Sequence, residues 1–245
     1  MTTLGIHETV GEIVTRRPAL SRIFENIGID YCCGGKKSLE KACKEKQLDP
    51  NGVLNQLTEA ETADRADVSE IDAAGMTLTE LVDHIEQTHH VYLRSELSRL
   101  DGMTEKVASV HGEKDSRLRE LRNTFVALAQ DLSSHMMKEE QILFPMVRTL
   151  EASETAPTFH CGSLANPIRQ MEQEHDQAGS GLERHRELTD DFKAPDWACN
   201  TYRALLDALA HLERDLHQHI HKENNVLFPR ALAMEERKGT TPCRR

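Results

Sequence analysis

The chain has 245 residues, with 41 acidic against 30 basic side chains and a formal net charge of −11. That length can bury one large core or two small ones, and the acidic balance excludes general binding to nucleic acid or to an anionic membrane surface. Aromatic residues make up only 4%, against an aromatic-rich β-sandwich or a base-stacking platform. No apolar run approaches the roughly 20 residues that span a bilayer, and Met1 to Arg16 lack the basic and apolar regions of a signal peptide. The expectation is a cytoplasmic protein whose six Cys are reduced thiols rather than a disulfide framework.

Residues 1–57 read as a small helical domain of three short amphipathic pieces. The first carries Val10, Ile13 and Val14. The second carries Leu20, Ile23, Phe24 and Ile27, and the third Leu39, Ala42 and Cys43. Between the second and third lies Ile29-Asp30-Tyr31-Cys32-Cys33-Gly34-Gly35-Lys36-Lys37. Two thiols there sit beside flexible glycine backbone, and the two lysines favour thiolate. The spacing is not a zinc pattern, and two adjacent cysteines on their own read first as a buried structural pair.

Residues 58–76 are acidic and Ala-rich and read as a linker. From 77 to 234 the pattern turns to long helices, followed by a tail at 235–245. Thr77 with Glu80 three residues on predicts a capped start. Leu118, Leu121, Phe125, Leu128, Leu132, His135, Glu139, Ile142 and Met146 step by three and four along one helix face. So do Leu164, Ile168, Met171, His175, Ala178 and Leu182, and then Leu205, Leu209, Leu212, Leu216, His219, Glu223 and Val226. Loops are expected near 102–116, 151–164 and 189–198, and Pro145 and Pro229 are expected near helix C-termini. The fold class is therefore all-α, with a small N-terminal helical domain before an antiparallel four-helix bundle.

The bundle contains a repeat. HMMKEEQILFP at 135–145 returns as HIHKENNVLFP at 219–229, 84 residues later, and an earlier His (89 or 90) and His175 recur at nearly the same offset. Buried polar groups need partners, yet His135/Glu139, His175 and His219/Glu223 interrupt apolar stripes in register. Residues four apart stay on one helix face, so each pair aims an imidazole and a carboxylate at one level of the bundle axis. Such a donor set, without thiolate, suits iron, manganese or zinc, and a duplicated set with two carboxylates suits two ions. The first helix is ambiguous. Leu78, Val82, Ile85, His89 and Tyr92 form one stripe; His90, Leu93, Leu97 and Leu100 form another. A ferritin-like alternative pairs Glu86 with His89 and Glu172 with His175, but leaves His135 and His219 without a role.

These residues carry a resemblance. The bundle resembles the hemerythrin-like fold, and nearly the whole chain resembles the repair-of-iron-centres family, bacterial di-iron proteins of iron–sulfur cluster repair. The matching stretches are IDYCCGG at 29–35, HMMKEEQILFP at 135–145, MEQEHDQAG at 171–179 and HKENNVLFPRAL at 221–232. The resemblance implies two iron ions in a non-haem centre, with room for an oxo or hydroxo bridge. Its ligands would be His90, His135, Glu139, His175, His219 and Glu223, the two glutamates bridging. It selects His90 over His89, gives Glu174 a supporting place beside His175, and leaves His217 and His221 as solvated or rim histidines. It makes Cys32 and Cys33 a thiol site for iron delivery or partner contact. The implied function is repair of clusters damaged by nitric oxide or oxidative stress, by donating iron to iron–sulfur client proteins. The alternatives are a nitric oxide reductase and a reversible binder of nitric oxide or oxygen, and a homodimer is admitted. Cys161, Cys199 and Cys243 receive no role.

Overall fold

The structure, a computed structural model, describes residues 4–63 and 73–239, and among them it is all-α, without a strand. The chain forms two compact units, Met1–Leu81 with His217–Arg245, and Val82–Leu216.

In the first unit, α1 (Val10–Arg16) starts from a reciprocal cap. The Thr9 hydroxyl accepts from the Glu12 N–H, and the Glu12 carboxylate accepts from the Thr9 N–H, each at 3.2 Å. A 3₁₀ turn (Pro18–Leu20) leads into α2 (Ser21–Ile27), which ends on Gly28 at φ 68°, the left-handed stop that glycine supplies without strain. Then come α3 (Leu39–Glu45), capped by Ser38, and α4 (Pro50–Ala63). The predicted apolar positions Val10, Ile13, Val14, Leu20, Phe24, Leu39, Ala42 and Cys43 are buried together, with Leu57 and with Ile220 from the C-terminal segment. The stretch read as a linker is helical as far as Ala63, while 64–72 lie outside the described residues. Ala73 and Met76 are held through their carbonyls by Arg230.

The second unit is built on long helices: α5 (Leu78–Ile85), α6 (Val91–His111), α7 (Arg117–Lys138), α8 (Phe144–Ala152), α9 (Ala165–Leu188) and α10 (Asn200–Lys222), the last continued by α11 (Phe228–Gly239) in the first unit. The expected cap is present, with Thr77 N–H on Glu80 at 2.8 Å and Glu80 N–H on Thr77 at 3.1 Å. Leu93, Leu97 and Leu100 of α6, Leu121, Phe125 and Leu128 of α7, Leu182 of α9, and Leu205, Leu209 and Leu212 of α10 share one core. Truncating any one of these to Ala is worth about 2–5 kcal/mol. The loop expected from 102 is shorter, because α6 runs on to His111. Gly102 is tolerated inside it at a position where a side chain would meet nothing, and Arg122 holds the neighbouring Asp101.

Three π turns, Glu86–His90, Glu139–Leu143 and Glu223–Leu227, interrupt these helices. Each inserts one residue and shifts the buried face. This resolves the two stripes of the first helix: Leu78, Val82, Ile85 and His89 are buried before the shift, and His90, Leu93, Leu97 and Leu100 after it. It also corrects the second stripe. Ile142 is 44% exposed, and Leu143 takes the inward position. Pro145 and Pro229 end no helix. Each is the second residue after a π turn, so its missing N–H falls where the hydrogen-bond ladder is already broken, and α8 and α11 continue.

Candidate metal centre

Four of the expected ligands meet inside the second unit. His90, His135, Glu139 and His175 are all buried. Glu139 lies between two imidazoles: His90 Nε2 is 3.4 Å from Oε2 and His135 Nε2 is 3.4 Å from Oε1. His175 Nε2 approaches His135 Nε2 to 3.0 Å. The donor atoms of His135, Glu139 and His175 all fall within 4.8 Å of one another. In the first unit, His219 Nε2 and Glu223 Oε1 are 3.1 Å apart, one helical turn along, and both are buried. Glu139 and Glu223 each open a π turn, and His90 closes one. Such turns place a side chain that a regular helix would rotate away.

The outer nitrogens are fixed by carboxylates. His90 Nδ1 donates to Glu140 Oε1 at 2.7 Å, and His135 Nδ1 donates to Glu174 Oε2 at 3.0 Å. Both rings therefore turn an Nε2 lone pair toward Glu139, the arrangement that orients metal-binding imidazoles and raises their basicity. Burial works against the charge on both carboxylates, but hydrogen bonds outweigh it. Arg94 and then His90 hold Glu140 below the usual range. Lys138, Gln170 and His135 bring Glu174 down to about 2. Buried imidazoles and carboxylates converging without thiolate match the donor chemistry of a borderline cation such as iron, manganese or zinc.

Neighbouring candidates have other partners. His89 Nδ1 pairs with Asp215 at 2.8 Å, and Glu86 pairs with Arg148 at 2.9 Å, so the ferritin-like Glu86/His89 pair is engaged elsewhere. Glu140 was missed in the sequence, although its position beside Glu139 and opposite Arg94 is a local signal. His221, expected at a rim, is buried. Its Nε2 is 3.4 Å from the Thr15 hydroxyl and its Nδ1 is 3.4 Å from the Tyr31 carbonyl. Burial lowers its pKa to about 4, against a hydrogen bond with Tyr31 that works upward. His217 packs edge-on to Tyr31.

The Cys-Cys motif rests on the same segment of helix. Asp30 accepts from the Cys32 N–H at 2.9 Å and the Gly34 N–H at 2.7 Å, and the Cys32 thiol is 3.2 Å from the same carboxylate. Asn225 donates to the Cys32 carbonyl at 3.0 Å. The donor atoms of Asp30, Cys32 and Cys33 lie within 4.8 Å of one another. The lysines do not make Cys32 a thiolate. Its hydrogen bond with Cys33, its burial and the Asp30 charge push the thiol well above its ordinary value, while Lys37 bonds Glu45 at 2.6 Å. The glycines serve space rather than flexibility: a Cβ on Gly35 would lie 2.3 Å from Asn225 Oδ1 and 2.7 Å from the Tyr31 carbonyl.

Comparison with known proteins places the chain in a family. Residues 81–231 match the hemerythrin HHE cation binding domain, and residues 6–61 match a domain of unknown function, DUF542. The chain is 41% identical over 229 residues to the iron-sulfur cluster repair protein YtfE of Enterobacter sp. (strain 638), covering 93% of this chain and 98% of that one. It is 40% identical, over the same shares, to the proteins of that name from Escherichia coli O1:K1 and Citrobacter koseri. No described helix is long and apolar enough to cross a membrane. A buried histidine–carboxylate cluster on long helices, a matching domain model over most of the chain and relatives similar along nearly their whole length lead to one conclusion: the chain belongs to the hemerythrin HHE cation-binding family, in the branch that carries the DUF542 domain at its N-terminal side.

Proposed function

We propose that this protein is a non-haem di-iron protein that repairs iron–sulfur clusters damaged by nitric oxide or oxidative stress, donating iron to cytoplasmic client proteins. Iron would be held by His90, His135, Glu139 and His175 of the second unit and by His219 and Glu223 of the first, imidazole and carboxylate donors that suit such a cation. The observation that carries the reading is Glu139, buried between the Nε2 atoms of His90 and His135 while Glu140 and Glu174 hold the outer nitrogens. The 84-residue repeat supplies the matching pair His219/Glu223. When bound, iron supplies redox-active, exchangeable cations. The chain's own groups fix the imidazole tautomers, offset cation charge with buried carboxylate and keep solvent out. Cys32 and Cys33, seated beside the helix segment that bears His219 and Glu223, are the delivery candidates.

Two measurements test this. Metal analysis of protein isolated under reducing conditions is expected to return two irons per chain. Iron-loaded protein is expected to reactivate a dehydratase whose cluster has been destroyed by nitric oxide, under conditions where the same amount of added iron does not. No reactivation would remove the repair reading. Catalytic nitrous oxide formation with a reductant would favour the reductase instead. Unchanged repair by a Cys32→Ser/Cys33→Ser variant would remove the thiols from delivery.

A further inference from the structure

The metal centre leaves unused a thiol at the opposite end of the bundle. Cys199 is exposed and immediately precedes α10, where its side chain occupies the position that caps the first helical N–H groups. Its Sγ lies 3.2 Å from Nε2 of His111, the last residue of α6, 88 residues away in sequence. Two aromatic residues pack on the imidazole: Tyr202 stacks on it at 6.0 Å and 29°, and Trp197 lies 5.6 Å away with the Lys114 ammonium 4.5 Å from its ring centroid. A nucleophile, a base in hydrogen-bond reach and a third group orienting the base form the arrangement that activates a thiol. The hydrogen bond with His111, followed by the backbone N–H groups of Tyr202 and Thr201, lowers the Cys199 pKa to about 7. Cys32 is shifted the opposite way. His111 stands 21 residues beyond His90 on the same helical run, about 30 Å at 1.5 Å per residue.

We propose that Cys199 and His111 form a thiol-exchange site for small-molecule disulfides, at which the chain acquires a reversible mixed disulfide. The Cys199 thiol gives its proton to His111 Nε2. The thiolate attacks one sulfur of the disulfide, the new S–S bond forms as the old one breaks, and the departing half leaves with the electron pair. His111 returns the proton to it. Cys199 is oxidised, one half of the disulfide is reduced to thiol, and no further oxidant enters. Excess thiol reverses the step.

The balance of effects is modest. At pH 7 a thiol with its pKa near 7 is about half ionised, against about 1% for an unshifted one, but its thiolate is the weaker nucleophile. The net gain is on the order of fivefold. The test is reaction of full-length protein with dithiobis(nitrobenzoate) and with oxidised glutathione over a range of pH, with the modified cysteine identified by peptide mass. Cys199 is expected to react first, about fivefold faster at pH 7 than a free cysteine peptide measured alongside, with a rate profile centred near pH 7. The fast phase should vanish in Cys199→Ser. In His111→Ala, checked for folding by its melting curve, the profile should move up toward the ordinary thiol range. A fast phase on Cys243 or Cys33 instead, a Cys199 profile centred in the ordinary range, or an unmoved profile in His111→Ala would each overturn the proposal.

Discussion

Asn225 donates its side-chain amide to the carbonyl of Cys32 at 3.0 Å. It stands two residues after Glu223, inside the π turn that begins with that glutamate. The thiol motif and the π turn are thus tied by a hydrogen bond between residues 193 positions apart, and Gly11 and Gly35 close around the same amide with no room for a Cβ. Gly35→Ala should therefore destabilise the protein by about 1–3 kcal/mol, and Asn225→Ala by about 1 kcal/mol. Both should raise the alkylation rate of Cys32, because that thiol is kept inert by its hydrogen bond with Cys33, by burial and by Asp30. Urea titration and site-resolved alkylation read the two effects. Unchanged Cys32 alkylation in both variants would show that Asn225 does not hold the motif.

Glu140 and Glu174 have a different kind of consequence. Neither is assigned to a cation, yet each fixes one imidazole through Nδ1. Glu140→Gln and Glu174→Gln should leave metal stoichiometry intact but weaken affinity about 10–100-fold each. Competition with a chelator measures this. Glu140→Gln also loses the ionic partner of Arg94, so an Arg94→Ala control separates that contribution. Affinities equal to the unaltered protein would mean that the imidazoles are oriented without these carboxylates.

Much of this organisation was legible in the sequence because burial has a period. Leu164, which caps α9, and Ile168, Met171, His175, Ala178 and Leu182 along it fall on one face and are all buried, as an uninterrupted helix requires. What the sequence hid is tied to the π turns. A period of 3.6 carried through Glu139 puts Ile142 inward; the inserted residue puts Leu143 there. The same shift buries both His89 and His90, which one regular helix face could not do, and so the choice between them could not be made from spacing. The behaviour of Cys32 was hidden for another reason. Lys36 and Lys37 are close in sequence, but the charge that reaches the thiol is that of Asp30.

The His89/His90 pair makes a separable prediction. His90→Ala removes the imidazole facing Glu139 and should lower the iron bound per chain. His89→Ala removes the bond to Asp215 and should cost about 1–3 kcal/mol of stability with the metal content unchanged. Metal analysis and denaturant titration on the two variants give a crossed pattern. The reversed pattern would restore the ferritin-like ligand set.

Stability in acid should report on His185. This ring is buried on α9 and stacks on Phe125 at 6.2 Å. Its Nε2 has no hydrogen-bond partner among the described residues. Burial lowers its pKa from 6.5 to about 4, against a hydrogen bond with the Thr124 backbone that works upward. In the folded protein the ring thus stays neutral while the unfolded chain takes up a proton below pH 6.5. Its contribution is fully present above that pH, declines as pH falls, and is lost by about pH 4. The loss amounts to about 2 kcal/mol near pH 5 and roughly 3 kcal/mol at the limit. His185→Gln keeps an amide that can donate to the Thr124 carbonyl but does not titrate. On metal-free protein, where the ligand histidines contribute equally to both forms, the variant should be less stable than the parent at neutral pH and lose less stability on acidification. The two curves should converge by about 2 kcal/mol between pH 7 and pH 5. Parallel curves would mean that His185 is protonated in the folded state, and that its burial does not govern acid stability.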